Sequence, residues 1–192
     1  MAASGRKAPW RVARSDVALS DRWLTLRRNT VAAPDGTLQG PHPVIEQPHW
    51  VDVIALTADR RIVLVDQYRH PVDRISTEFP AGTVDPGETP LAAIKRELLE
   101  ETGYASDDWS LLGSAPVWPA LQTNRISTFL AIDARRVAGQ ALDEGEAIRC
   151  HDMPLDDFLA EVEAGRLELP ALQRAGLWWF SRRLRGRGDR GT

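Results

Sequence analysis

Four glutamates, one arginine and three glycines fall at regular offsets between Gly82 and Tyr104, in a stretch that reads GTVDPGETPLAAIKRELLEETGY. Glu97, Glu100 and Glu101 are spaced to share adjacent positions on one face of a helix. Three like charges there repel one another unless a cation joins them. Hard divalent cations such as Mg²⁺ take carboxylate and carbonyl oxygens and keep several waters. A carboxylate cluster on a short helix, fed by a Gly/Pro loop, is therefore suited to holding such a cation against a diphosphate. The competing reading is a solvated acidic helix face, which a lone Glu-Glu pair would favour. With so many residue types at set offsets, chance is a poor explanation.

The helix that must carry these groups is legible on its own. Thr89 is a good N-cap, and Pro90 suits the first turn, where a missing N–H is no loss. Ala92, Ala93, Lys95, Arg96, Leu98 and Leu99 are good helix formers. Gly103 supplies a left-handed stop. Leu91, Ile94 and Leu98 recur at helical spacing and predict a buried stripe. Arg96 is expected to point elsewhere on the helix and to reach back to Glu88, tying loop to helix.

Composition bounds the rest. At 192 residues and 43% hydrophobic content, one domain with a sizeable core is expected. A net charge of −3 argues against a nucleic-acid surface as the main business. The single cysteine, Cys150, excludes an internal disulfide and suits a reducing cytosol. With His151 beside it but no second Cys or spaced His, it reads as a strand thiol, not a zinc ligand. No apolar run reaches membrane-spanning length, and MAASGRKAPW lacks the apolar core of a secretory signal. We therefore expect a cytoplasmic protein without membrane contact.

Along the chain, residues 1–9 read as disordered and residues 10–48 as N-terminal strands, with a hairpin turn at Ala33-Pro34-Asp35-Gly36. Gly40 to Pro48, with three prolines, reads as a linker or edge segment. Strands are expected at Trp50–Leu56, Arg61–Asp66, Trp109–Ala115, Arg125–Ile132 and Ala147–Met153. Helices are expected at Leu155–Ala164 and Leu172–Leu184, before a basic, Gly-rich tail over 183–192.

The stretch from Gly82 matches the Nudix box, G-x5-E-x7-R-E-U-x-E-E-x-G-U with U apolar, at every specified polar and glycine position; Tyr104 stands at the last apolar place. Outside the box, Gln67-Tyr68-Arg69 and Glu78-Phe79-Pro80-Ala81-Gly82 resemble the lead-in of the ADP-ribose pyrophosphatase and nucleotide-sugar hydrolase group. Pro119 lies where that group commonly has a proline. The stretch APVWPALQTNRISTFLA resembles a branch that usually reads Pro-Asn-Pro-Ala, with Trp118 here in the place of the asparagine. The Ser-Pro-Gly type of stretch found in typical ADP-ribose enzymes is absent. The resemblance covers roughly residues 44 to 180.

The resemblance implies an α/β (mixed α+β) Nudix fold, a mixed β-sheet sandwiched between helices, preceded by an antiparallel strand region and with a Nudix domain over 49–182. It implies Mg²⁺-dependent (Mn²⁺ possible) hydrolysis of ADP-ribose or a related nucleoside diphosphate sugar to a nucleoside monophosphate and a sugar phosphate. Glu97 and Glu101 are the expected principal metal ligands, with Glu100 sharing the cluster and the Ala81 carbonyl carried over from the group. Glu88 and Arg96 are expected to be structural, Arg96 as orienter. The general base of that group lies in a late loop, where this chain offers Glu144 and Glu146; Glu144 aligns best, and Glu97 is the further alternative. Arg69 is the expected phosphate contact, its alternative a salt bridge to Asp66 or Asp73. Trp50 and Trp118 are candidates to stack on the base, and Gln122, Asn124 and Arg125 to line the same pocket. His42, His49 and His70 read as loop residues. A homodimer through residues 10–48 is implied, and seven tryptophans are in keeping with an interface. Two other readings stand beside this one: a Nudix hydrolase of dinucleoside polyphosphates, nucleoside triphosphates or capped RNA, and a non-catalytic ligand sensor.

Overall fold

The computed structural model describes residues 10–143 and 145–188. The expected disordered N-terminus, the end of the basic tail and Glu144 lie outside the described residues. The described residues part into two compact units, one made of residues 10–48 with 116–124, the other of 49–115 with the described residues from 125 on.

In the first unit, β1 (Arg11–Ser20), β2 (Thr25–Ala32) and β3 (Leu38–Glu46) form an antiparallel sheet in that order. The expected turn closes β2 onto β3: Gly36 donates to the Ala33 carbonyl at 2.9 Å, and Asp35 accepts from the Thr37 N–H at 2.9 Å. The Pro-rich segment from Gly40 belongs mostly to β3, an edge strand, not a linker. Its outer side takes up the 116–124 loop, where Ile45 bonds to Leu121 and Thr123.

The second unit holds two sheets between helices. One has the order β7 (Ala81–Thr83), β4 (Trp50–Ala55), β10 (Arg125–Ile132), β9 (Asp108–Pro116). It is mixed, since β4 runs parallel to β10 and antiparallel to β7. The other is β12 (Ile148–Pro154), β5 (Arg61–Arg69), β6 (Arg74–Glu78), all antiparallel. Short strands β8 (Tyr104–Ala105) and β11 (Arg135–Arg136) pair beside them.

Strand alternation explains the layering. Val51, Val53 and Ala55 of β4 pack toward α1 (Pro90–Thr102), with Ala93, Ile94 and Leu98. Ile54 and Leu56 face the opposite way, with Phe158 of α2 (Leu155–Glu163) and Phe180 of α3 (Ala171–Gly188). Leu91 departs from the predicted stripe: it is 37% exposed, and Ala93 takes its place in the buried face. None of the seven tryptophans is fully buried. Among the described residues, no helix is long and apolar enough to cross a membrane.

One polar residue interrupts this core. Asp52 of β4 is wholly buried, opposite Thr128 of β10, and neither carboxyl oxygen nor the Thr128 hydroxyl has a hydrogen-bond partner of ordinary geometry. Burial pushes its pKa from 3.8 to about 7, with the Thr128 hydroxyl opposing the rise. Between those values the folded state holds a proton that the unfolded chain has released. Stability therefore falls as pH rises through this window, by about 4 kcal/mol at most. Asp52→Asn, which cannot ionise, should flatten the pH dependence of urea unfolding between about pH 4 and pH 7. An unchanged slope in that variant would show that Asp52 does not titrate there.

Candidate active site

Three local features fix where the acidic face of α1 lies. The Thr89 hydroxyl accepts from the Ala92 N–H at 3.2 Å, with Pro90 opening the first turn. Gly103 ends the helix at φ 74°, and a Cβ there would meet the Ala138 carbonyl oxygen at 2.2 Å. Burial of Ala93, Ile94 and Leu98 sets the rotation. The same rotation turns Glu101 inward to 7% exposure and leaves Glu100 at the rim.

Glu101 meets β7 directly, its Oε2 accepting from the Ala81 N–H at 3.0 Å. Glu97 lies over Gly82, where a Cβ would come within 2.1 Å of its carboxyl carbon. A side chain at position 82 would displace the Glu97 carboxylate from that place. Arg96 reaches Glu88 as expected, at 3.2 Å, and donates to the Thr83 carbonyl at 3.2 Å. It does not point away from the acidic face. It also bonds Glu97 at 2.8 Å and Glu100 at 3.1 Å, so one guanidinium joins the loop and two of the three clustered carboxylates.

The electrostatics follow from this crowding. Burial pushes the Glu101 pKa up to about 8, opposed by the Ala81 N–H and reinforced by the charges of Glu97 and Glu146. Glu97 is raised too, first by burial, while Arg96 pulls it back. Glu88 is held below its ordinary value by Arg96, whose own pKa rises in return.

These donors suit a hard divalent cation: desolvated carboxylates beside a backbone segment, with a glycine allowing close approach. As the side chains stand, no three acidic, His or Cys groups among the described residues converge tightly enough to enclose an ion. Arg96 lies between Glu97 and Glu100 in this arrangement.

Glu146 stands in the loop before β12, where its carboxylate accepts from the Asp143 N–H at 3.2 Å. Its charge acts on Glu97, Glu101 and Arg69. Arg69 ends β5 and clasps Glu78 through Nε at 2.9 Å and Nη2 at 2.6 Å. Neither suggested salt-bridge partner is used: Asp66 holds Thr77 and Arg149, and Asp73 accepts from the Tyr68 hydroxyl. Trp50 is half-buried at the start of β4. Arg125 is tied to Ser114 through its Nε and Nη2. Trp118, 55% exposed, and Gln122 belong to the first unit, where Gln122 bonds Gln47 at 3.4 Å. Asn124, buried in that unit, donates to the Pro48 carbonyl. Cys150 is a strand thiol on β12, its pKa pushed up to about 11 by burial.

Two participants escaped the sequence reading. Glu78 was visible as part of the lead-in but not as the partner of Arg69. Gln173 on α3 bonds both main-chain groups of Phe79, and nothing in its local pattern distinguishes it from a surface glutamine.

Residues 47–172 match the NUDIX domain. A methanol dehydrogenase activator of Bacillus methanolicus is 31% identical, over 80% of this chain and 83% of its own length. An ADP-ribose pyrophosphatase of Bacillus subtilis is 30% identical, over 76% of this chain and 78% of its own. The crystal structure of an ADP compounds hydrolase superposes with a TM-score of 0.79 at 20% identity, covering 93% of this chain and 96% of that one; at that identity the likeness shows the fold. With the box residues gathered where α1 meets β7 and the family match spanning most of the second unit, this chain belongs to the NUDIX domain family.

Proposed function

We propose that this Nudix enzyme hydrolyses the diphosphate linkage of a nucleoside diphosphate sugar, with ADP-ribose the leading substrate, to a nucleoside monophosphate and a sugar phosphate. The observation that carries this reading is the packing of Glu97 and Glu101 against the Ala81–Gly82 strand, with Arg69 and Glu146 in electrostatic reach. The ADP-ribose pyrophosphatase among its relatives supports the substrate class.

In this reading Glu97, Glu101 and the Ala81 carbonyl hold Mg²⁺, with Glu100 sharing the cluster. When bound, the ion supplies charge neutralisation for the diphosphate oxygens and acidifies the attacking water. Arg69 binds and orients a phosphate through the donors that Glu78 leaves free. A carboxylate of the loop before β12, Glu144 or Glu146, takes the water proton. The water oxygen bonds to phosphorus as the bridging P–O bond breaks, and the leaving phosphate carries off the electron pair. Glu88 and Arg96 keep the loop and Glu97 in place. Trp118 offers an exposed face to a nucleobase.

We also propose a homodimer through residues 10–48. All ten residues of β1 are exposed, Val12, Val17 and Leu19 among them at more than half. A strand with apolar side chains uncovered and, among the described residues, one edge unpaired is a surface that pairs with another chain.

Incubation with Mg²⁺ and a panel of ADP-ribose, ADP-glucose, GDP-mannose, diadenosine polyphosphates and nucleoside triphosphates should give monophosphate plus sugar phosphate by chromatography. Glu101→Gln should lose at least about a hundredfold in rate. Turnover of polyphosphates or triphosphates alone would replace the proposed substrate class. Of Glu144→Gln and Glu146→Gln, the change that removes the base should lower kcat by about 10²–10³ with little change in KM, and the other by less than about tenfold. A loss of less than about tenfold in both would move the base to Glu97. Sedimentation should give twice the 21.3 kDa chain mass, falling to one chain in a Val17→Lys, Leu19→Lys double variant. A wild-type monomer would end the dimer reading.

A further inference from the structure

The segment that leads from β6 into β7, beside the candidate metal ligands, is held at each of four consecutive residues, Glu78 to Ala81, by a partner from another element. The Glu78 carboxylate is clasped by Arg69. The Pro80 carbonyl accepts from the Val53 N–H at 3.0 Å. The Ala81 N–H goes to Glu101 at 3.0 Å. Phe79, wholly buried between β6 and β7, has its N–H and carbonyl satisfied by one side chain. Gln173 accepts from the Phe79 N–H through Oε1 at 2.7 Å and donates Nε2 to the Phe79 carbonyl at 3.1 Å.

A carboxamide presents the same donor and acceptor pair as a peptide group, so Gln173 acts here as the missing neighbour of a strand. It is 4% exposed, which leaves water no easy way to replace it. Of the four attachments it is the one supplied by α3. Gly176, three residues on, lets α3 lie close over β10: a Cβ there would meet the Thr128 side chain at 2.8 Å. That close approach brings Gln173 to Phe79.

We propose that Gln173 is a positioning residue that fixes the Phe79–Ala81 segment, and through it the Ala81 carbonyl, for binding of a divalent cation. This rests on the reading of Glu97, Glu101 and Ala81 as a metal site. Gln173 touches neither metal nor substrate. Losing its two bonds leaves Phe79 unpaired, and the segment shifts to find other partners. The loss falls on metal affinity more than on substrate affinity.

The test measures Mn²⁺ binding by the decrease in free-ion electron paramagnetic resonance signal, alongside turnover of ADP-ribose. Gln173→Leu, close in volume and without hydrogen bonds, should bind Mn²⁺ about tenfold more weakly, as changes behind metal ligands do. Its KM at saturating metal should stay within about twofold of wild type. Phe180→Leu, a core change on the same helix, should lower the melting temperature and leave the Mn²⁺ constant unchanged. If Gln173→Leu does not fold, Gln173→Met decides, since it keeps the length of the side chain and loses both hydrogen bonds. Unchanged Mn²⁺ affinity in the folded Gln173 variant, or an equal loss in Phe180→Leu, overturns the proposal. A wild-type protein that neither binds Mn²⁺ nor turns over with metal overturns the metal-site reading itself.

Discussion

The structure depends on keeping a buried carboxylate beside a backbone strand. Glu101 is almost without solvent, yet one of its oxygens meets the N–H of Ala81. A carboxylate so placed resists ionising, and Glu97 and Glu146 increase that resistance. Such a group is tolerated where the fold holds it from several sides. Helix α1 supplies one side by burying Ile94 and Leu98, and its two caps fix its register to within a residue. β7 supplies the other, and the missing side chain of Gly82 makes room for Glu97. Arg96 binds the remaining charges to the loop. Moving any of these would leave like charges adjacent with nothing between them, or a carboxylate buried without a donor.

The sheet repeats this balance on its other face. β4 alternates Val51, Val53 and Ala55 toward α1 with Ile54, and Leu56 just after the strand, toward α2 and α3. Asp52 breaks the apolar run, yet it sits in register with Ala81 on β7 and Thr128 on β10. The strand pair that presents Ala81 therefore carries a buried polar residue of its own. Polar groups in a core restrict how its layers can slide, at a cost in stability that depends on their protonation. On the same face, Gly176 lets α3 rest on Thr128 and Gln173 reach Phe79. A core of methyl groups alone would allow several heights for that helix, whereas these contacts define one.

Much of this was legible because it is local. Caps, stops and the spacing of four glutamates are properties of neighbouring residues, so α1 and the order of its groups could be read directly. β4, β5 and β10 announced themselves by β-branched runs. What escaped depends on partners distant in sequence. β7, with three residues, and β8 and β11, with two each, are too short to carry a period. β3 was half-hidden because prolines suit an edge as well as a linker. Leu91 matched the helical spacing, but Ala93 proved to face the core, because the tilt of α1 against β4 decides which flank is covered. Arg69 reaches Glu78, not Asp66 or Asp73, although the β5–β6 register sets Arg69 opposite Arg74 and Glu78 opposite Val65, and no spacing rule gives that contact. Gln173 lies 94 residues from Phe79, beyond the reach of any local signal.

The same contrast separates the reaction from the choice of substrate. The groups that would face a metal come from one continuous stretch, so an intact box brings that part of the chemistry with it. The groups proposed for the phosphate and the water proton come from β5 and the loop before β12, each positioned by its own contacts. Arg69 shows how such a contact can be set. Its fork on Glu78 uses Nε and Nη2, two nitrogens of the guanidinium, and the side chain remains 44% exposed. Five N–H donors are available to an arginine, so the carboxylate does not exhaust it. Glu78 instead fixes the plane and raises the basicity of the group. An arginine held in this way meets a phosphate with its side-chain freedom already lost, and binding then loses less entropy than it would with a free arginine on the surface.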